Sequence, residues 1–405
     1  MSDGDVFQIG HTYRYKAKIN LYGDTILAAK EDISAALTGF DAGSYTWTIS
    51  EYSQIYENMV IYFEFTCERE MPDTSYVRPK GDGSEGNPFQ ITNVGELYWF
   101  AGFVNETITA DDITVDSSKV CAKLMNDITV NYELLKDDGT VNGSSGFVYW
   151  IPIGFYSNYS GTFDGQNHTI SGLLLNHPDA YAKYGEIGFV AELTSGGCIR
   201  DLTIANSLFA PPISNKEYFV GGIVGRMWAG TSVINCHFQG TIRANTTYYL
   251  HTLGGIAGCS NGTITDCTSR GWIKGYSNGG TGGIVGNTYG SGMVSGCVNY
   301  ASVVNELPST YYGGKDSAAG GIAAVLNRGT VRDCCNKGDV SGEHTWVGGI
   351  AGRAEGWESQ WAYITRCWNE GSVNCCGIAG NIYRYTTVEN CYNAGTVRFG
   401  ITSVV

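Results

Sequence analysis

Charge of either sign is scarce in this chain. Charged residues fill 16% of its 405 positions, and acids outnumber bases, leaving a net charge of −14. Nucleic acids and anionic membranes recruit clustered Lys and Arg, so neither is expected as a partner. No apolar run reaches the ~18 residues needed to span a bilayer, so no membrane insertion is expected. Helical spacing of apolar residues is almost absent, which excludes the all-α classes. The cysteines never occur as CxxC, the paired spacing of structural zinc, so no metal is implied. The six histidines (His11, His168, His177, His237, His251 and His344) form no HExxH pair. A Ser-His-Asp arrangement is not expected either. No glycine pattern sits in the strand-to-helix context that phosphate binding requires, so no cofactor is implied.

What the chain has in abundance is glycine, 56 residues, and one recurring unit that explains most of it. GGIVG…SVINCHFQGTI, GGIAG…TITDCTSRGWI, GGIVG…MVSGCVNYASV, GGIAA…TVRDCCNKGDV, GGIAG…YITRCWNEGSV and CGIAG…TVENCYNAGTV begin at Gly221, Gly254, Gly282, Gly320, Gly348 and Cys376. The period is 28 to 38 residues, which indicates a stacked repeat array. Each unit holds two or three short Val/Ile/Thr runs of period two, hence strands. The Leu lattice of leucine-rich repeats is missing, and propeller blades need longer antiparallel units. The expected fold is therefore an all-β, parallel β-helix.

Three columns follow from the alignment. Cys236, Cys267, Cys297, Cys334, Cys367 and Cys391 share one, and a weaker upstream coil places Leu202 there. A position that accepts Cys or Leu faces inward, so these thiols are expected as stacked small hydrophobes. Disulfides within the column are not expected, because neighbouring parallel strands hold their Cβ vectors parallel. Bridges among off-column residues such as Cys259, Cys335 or Cys375 stay open. Asn299, Asn336, Asn369 and Asn393 form a second column, expected as an amide ladder at a turn. Gly240, Gly271, Gly338, Gly371 and Gly395 form a third, expected to supply φ freedom there.

The rest of the chain has a different texture. Residues 1–71 alternate strongly in three stretches and read as a small antiparallel β-sandwich-like module. Residues 72–88 read as a linker. The β-helix is expected over 89–405, with the clear repeats from about 185. Asn93-Val-Gly-Glu96 resembles a capping box, and Leu97, Phe100, Ala101 and Val104 follow at helical spacing. A short amphipathic helix is thus expected to cap the first coil. Met1-Ser-Asp-Gly-Asp is polar and acidic, and little follows the last coil at Val397, so a piece of a longer secreted protein is expected.

GDGSEGNPFQITNVGELYWFAGFVN (81–105), LMNDITVN, WIPIG, YSGTFDGQNHTISGLLLN and the GGI[AV]G…C repeats resemble, in that order, the GLUG-motif proteins of bacterial cell surfaces. The resemblance covers about four fifths of the chain. It implies a right-handed parallel β-helix on a secreted or surface-anchored protein of adhesin type. Similar repeats flank bacterial IgA-cleaving metallopeptidases, but without HExxH no protease chemistry carries over. Residues 1–71 resemble the Ig-like modules that precede such arrays, in strand pattern only.

Two function classes remain to be weighed. Parallel β-helices host polysaccharide lyases and hydrolases, whose sites need convergent carboxylates. Asp164 in FDGQNHTI is the candidate, with His168 four residues on; the plainer expectation is Asp-Gly turn chemistry with His168 packed beside it. Asp266 and Asp333 precede column cysteines where other coils have Asn235 and Asn390, an interchange no catalytic acid would tolerate. The stronger signal is aromatic. Loops at one place in a repeat project from one face. Here they carry Tyr311, Tyr312 and Trp346 before the GGI motif, and Arg353, Trp357, Trp361 and Tyr363 after it. Exposed Trp and Tyr in rows suit sugar rings or a protein partner, whereas local cover of their own coil is the plainer alternative. The expected function is thus an extracellular binding protein for a glycan or surface protein. A polysaccharide-acting enzyme and a passive structural stalk are the alternatives.

Overall fold

The computed structural model describes backbone for residues 12–20, 45–55 and 58–67, and the chain in full for 74–143, 146–176, 185–211, 217–244, 251–276, 279–306 and 317–398. Two compact units are present, one of residues 1–71 with the short stretch 143–146, the other of the remaining residues from Pro72. In the first, β1 (Thr12–Asn20), β2 (Tyr45–Ile55) and β3 (Asn58–Cys67) form an antiparallel sheet in the order β1-β3-β2.

The second unit is a parallel β-helix. Each coil enters on a short lead strand, reverses through the GGI elbow, leaves on a return strand and then runs along a broad wall. Lead strands such as Tyr218–Gly221, His251–Gly254 and Ala318–Gly320 stack into one parallel sheet, and return strands such as Val224–Met227, Ala257–Ser260 and Ala351–Glu355 into another. On the broad wall, Thr268–Gly275 pairs in register with His237–Ala244 on one side and with Val298–Asn299 and Ser302–Glu306 on the other. Adjacent strands lie about 4.8 Å apart, so every column of the alignment becomes a line along the helix axis.

The elbow explains the motif's glycines by space. A Cβ on the first glycine would lie within 2.0 Å of the carbonyl oxygen three residues on, in all five coils that have it. A Cβ on the second would lie 2.3 Å from Asn299 Cγ at Gly283, 2.3 Å from Asn336 Cγ at Gly321 and 2.5 Å from Asn369 Cγ at Gly349. The fifth residue lies against the lead strand of the coil below: a Cβ on Gly258 would be 2.4 Å from Val220 N, and one on Gly380 would be 2.6 Å from Val347 N. Lead and return strands thus meet with almost nothing between them. Coil four keeps Ala324 at the fifth position, and there the coil below supplies Gly280, whose added Cβ would lie 2.7 Å from the Ala324 Cβ.

Cys236, Cys267, Cys297, Cys334 and Cys367 are fully buried, and Cys391 in the last coil is half-buried. The column has a polar task besides filling space. Each Sγ donates to the carbonyl two residues earlier, at 3.1–3.3 Å. Cys236 N donates in turn to Cys267 Sγ, and Cys267 N to Cys297 Sγ, both at 3.4 Å. Burial pushes the thiols of Cys236, Cys297 and Cys334 far up from the ordinary range. The residue before each cysteine turns left-handed: Asn235, Asp266, Asp333, Arg366 and Asn390 have φ of 50 to 55°, and Gly296 has 65°. Asn and Asp tolerate that region best, which accounts for their interchange. Arg366, the exception, is held by Asp333 through two bonds of 2.6 and 2.7 Å.

Two column expectations change. The asparagines lie inside the coil: Asn299, Asn336 and Asn369 are fully buried and bonded one to the next. The glycine column is set by proximity, since only Gly271 has positive φ, at 99°. A Cβ on Gly338, Gly371 or Gly395 would lie 2.0 Å from a carbonyl oxygen of the coil below.

The helix α1 (Val94–Val104) begins where expected, with Asn93 Oδ1 accepting from Glu96 N at 3.0 Å. Glu96 reaches back one residue further than a capping box requires, taking Thr92 N at 2.6 Å. The helix is buried on nearly every face and is not amphipathic. It plugs the first coil: Trp99 stacks on Phe103 at 5.2 Å, and Phe100 meets Phe163 at 5.8 Å.

Candidate ligand face

The corner where return strands pass into the broad wall carries a group of exposed aromatics. In most coils this passage is short, as at Asn327-Arg328-Gly329. After Ala351–Glu355 it is longer. Gly356 lies so close to the next coil that a Cβ would be 1.9 Å from Tyr385 O. Trp357 and Gln360 then close a tight turn through two backbone bonds, 2.8 and 2.9 Å. The turn projects Trp357, 58% exposed, and Trp361, 44% exposed. Tyr363 follows on the broad wall, also exposed.

The next coil completes the group. Tyr385 meets Trp361 edge-on at 5.9 Å, and exposed Tyr383 lies under the Arg353 guanidinium at 5.4 Å. Arg353 itself turns to Glu355 at 2.9 Å and is largely covered, so it does not reach Trp357. Arg328 takes that place, 5.1 Å above the Trp357 ring. Among the described residues Arg328 makes no ion pair, and its Nε is buried without a hydrogen-bond partner. A half-buried guanidinium over an exposed indole contributes about 0.5–1 kcal/mol to holding the ring. The same corner two to four coils earlier carries Trp228 under Arg226 at 4.4 Å, with Tyr289 between them and the later group. A line of aromatic rings interleaved with arginines therefore follows the helix axis.

Of the residues expected from sequence, the structure joins Trp357, Trp361 and Tyr363 at this corner, with Arg353 just behind. Trp346 lies in the lead-strand sheet opposite Ala318, away from the corner. Tyr311 and Tyr312 lie outside the described residues. Arg328, Tyr383 and Tyr385 escaped sequence reasoning, because they occupy a coil-to-coil contact that a single repeat does not display.

The carboxylate candidate is tied into its wall. Asp164 is buried, and its Oδ2 accepts from Arg200 at 2.6 and 2.8 Å while Oδ1 accepts from Gln166 N at 2.9 Å. Burial works to raise the carboxyl, yet these bonds win and hold it below the usual range. An acid kept ionised in this way is a poor proton donor at neutral pH. His168 does not pack on Asp164; its Nδ1 lies 3.1 Å from Asp127. Two stretches read G-x-S-x-G, 258–262 and 275–279. Ser260 of the first is buried in a return strand, with Oγ bonded to Met227 Sδ and Gly262 N, and has no following helix. Ser277 of the second lies outside the described residues. No helix among the described residues is long and apolar enough to cross a membrane.

Comparison with known proteins gives no match to any family model and none to any curated sequence.

Proposed function

We propose that the chain is a binding protein of the bacterial cell surface, similar to GLUG-motif adhesins, that grips a glycan or a surface protein along the aromatic corner. The observation that carries this reading is the Trp357–Trp361–Tyr363 group, two indoles left in solvent by a turn longer than the passage in the other described coils, with an exposed tyrosine on the strand that follows. Apolar area exposed in a contiguous row favours a partner, whereas scattered surface aromatics do not. The arginines that interleave the rings suit the aromatic-plus-Arg composition of binding hot spots. Several weak contacts in a line gain from one another's proximity, so a repetitive partner is favoured over a small ligand.

The test is an array of host and plant glycans and surface proteins, probed with the whole protein and with Trp357→Ala/Trp361→Ala. Binding by the parent that the folded double variant loses supports the reading. Absence of binding by the parent, or equal binding by both, removes it and leaves the passive stalk.

A further inference from the structure

A cleft of about 440 Å³ opens on the broad wall, away from the corner. Lys136, Asp137, Asn206, Gln239, Arg270 and Trp272 line it. One side is a hairpin from the first coils. Lys136 N donates to Thr140 O and Gly139 N to Lys136 O, and Leu135 pairs with Val141. Two bonds clamp this hairpin across the wall: Leu135 N to Asn206 Oδ1 at 2.9 Å, and Thr241 Oγ1 to Gly139 O at 2.9 Å. A small apolar cluster of Leu134, Leu174, Leu208 and Ala210 fastens it underneath. The floor is bare, because Gly240 and Gly271 pair in register there.

Trp272 stands at the end of the cleft, 40% exposed. Gly139, whose φ is +76°, packs against the six-membered ring of the indole: an added Cβ would lie 2.5 Å from Trp272 Cε3 and 3.0 Å from Cζ3. Gln239 and Arg270 are register partners beside it, both exposed, and Arg270 is oriented by the Tyr300 ring 3.9 Å below. Neither Lys136 nor Arg270 makes an ion pair among the described residues, whereas Lys274, Lys337 and Arg366 on the same wall all do. The cleft therefore holds two cations against one acid, Asp137, on a chain of net charge −14.

We propose that this cleft is a saccharide-binding site, and that the saccharide it takes bears an acidic group. A part-exposed indole held by the hairpin supplies a flat apolar platform at little entropic cost. The amides of Asn206 and Gln239 and the Asp137 carboxylate supply directional partners for ring hydroxyls. Arg270 and Lys136 supply the charge for a carboxylate or sulfate. The inference stands on its own residues and does not depend on the corner.

Calorimetric titration of the whole protein with an oligouronate, a sulfated oligosaccharide and a neutral oligohexose tests it. Binding of either acidic ligand, weakening as salt rises, is expected, and which of the two binds identifies the acidic group. Trp272→Ala is expected to weaken it roughly tenfold or more. Arg270→Gln lies on the open surface, where folding is not at stake, and is expected to reduce the preference for acidic over neutral ligand. Three outcomes overturn the assignment: binding of none of the ligands, acidic binding unchanged in both variants, or acidic binding lost only in Trp357→Ala/Trp361→Ala. The last of these moves the ligand to the corner and leaves that reading intact.

Discussion

Asn336 donates its amide Nδ2 to Asn369 Oδ1 at 2.7 Å, and its own Oδ1 accepts from Asn299 at 2.8 Å, all three side chains fully buried. Asn369 passes the pattern on to Asn393 at 2.7 Å. Each Nδ2 also reaches the carbonyl two residues on in its own coil, Gly338 O in the case of Asn336. A buried primary amide is fully employed only when it has neighbours of its own kind above and below.

Replacing one member therefore breaks two links. Asn336→Ala is expected to cost about 2–4 kcal/mol, because partners on both sides are left unsatisfied in the dry interior. Asn336→Asp is expected to cost more at pH 7, since a carboxylate there faces Asn369 Oδ1 and Gly338 O with no proton to give. Acidification restores one donor, so the deficit of N336D against wild type should shrink toward pH 4. Urea midpoints at the two pH values check this; a deficit that grows on acidification contradicts the ladder.

The elbow offers a double-mutant test. Gly280→Ala places a methyl against Ala324 and is expected to cost about 1–3 kcal/mol by overpacking. Ala324→Gly removes the nearer of two contacts, the other being Gly286 O at 2.9 Å, so G280A/A324G should recover part of that loss. The coupling energy from the four melting curves is the measurement, and a coupling near zero denies the contact.

The thiols should divide by place in the coil. Cys236, Cys267, Cys297, Cys334 and Cys367 are buried, and the raised pKa of Cys236, Cys297, Cys334 and Cys367 leaves almost no thiolate on those four at pH 8. Cys198 and Cys375 are partly open. Iodoacetamide on the native protein is expected to label members of the second group within minutes and spare the first until urea is added. Peptide mass mapping distinguishes the sets.

His251 ties stability to pH. Its ring is buried, accepts from Tyr218 N at 3.0 Å and stacks on Tyr218 at 5.2 Å. Burial pushes its pKa down from 6.5 to about 4. The unfolded chain then binds more protons between those values, so stability is fully present above pH 6.5 and declines as pH falls to 4, by about 3 kcal/mol in all. His251→Gln keeps an acceptor for Tyr218 N without a titrating ring. It should flatten the pH dependence of the urea midpoint across that window.

The coil was legible from columns because a stacked fold converts sequence period directly into geometry. The Asp and Asn before the cysteines read only as non-catalytic and not as left-handed, whereas the inward cysteines and the helix start at Asn93 both followed from one residue's chemistry and its neighbours. Interior Asn336 did not, because Asn beside Gly reads as a turn until its neighbours above and below are known to be asparagines in line. The glycines of the third column likewise read as φ donors, whereas the carbonyl of the coil below is what excludes a side chain. At the corner, Trp357 and Trp361 announced themselves as an insertion. Arg328, Tyr383 and Tyr385 lie in ordinary-looking positions of other coils. Trp272 looked like one more strand residue because the hairpin that frames it comes from more than a hundred residues earlier.

That hairpin has a kinetic meaning. Solenoids generally fold and melt by nearest-neighbour steps, each coil answering only to the one beside it. The bond from Thr241 to Gly139 spans 102 residues and skips coils in between. The strands it crosses are thereby bound into one cooperative block, which should form late and resist fraying. The coils after Trp272 keep the freedom to open one by one. Hydrogen exchange along the broad wall should show that boundary as a step, with protection falling beyond the strand that carries Trp272.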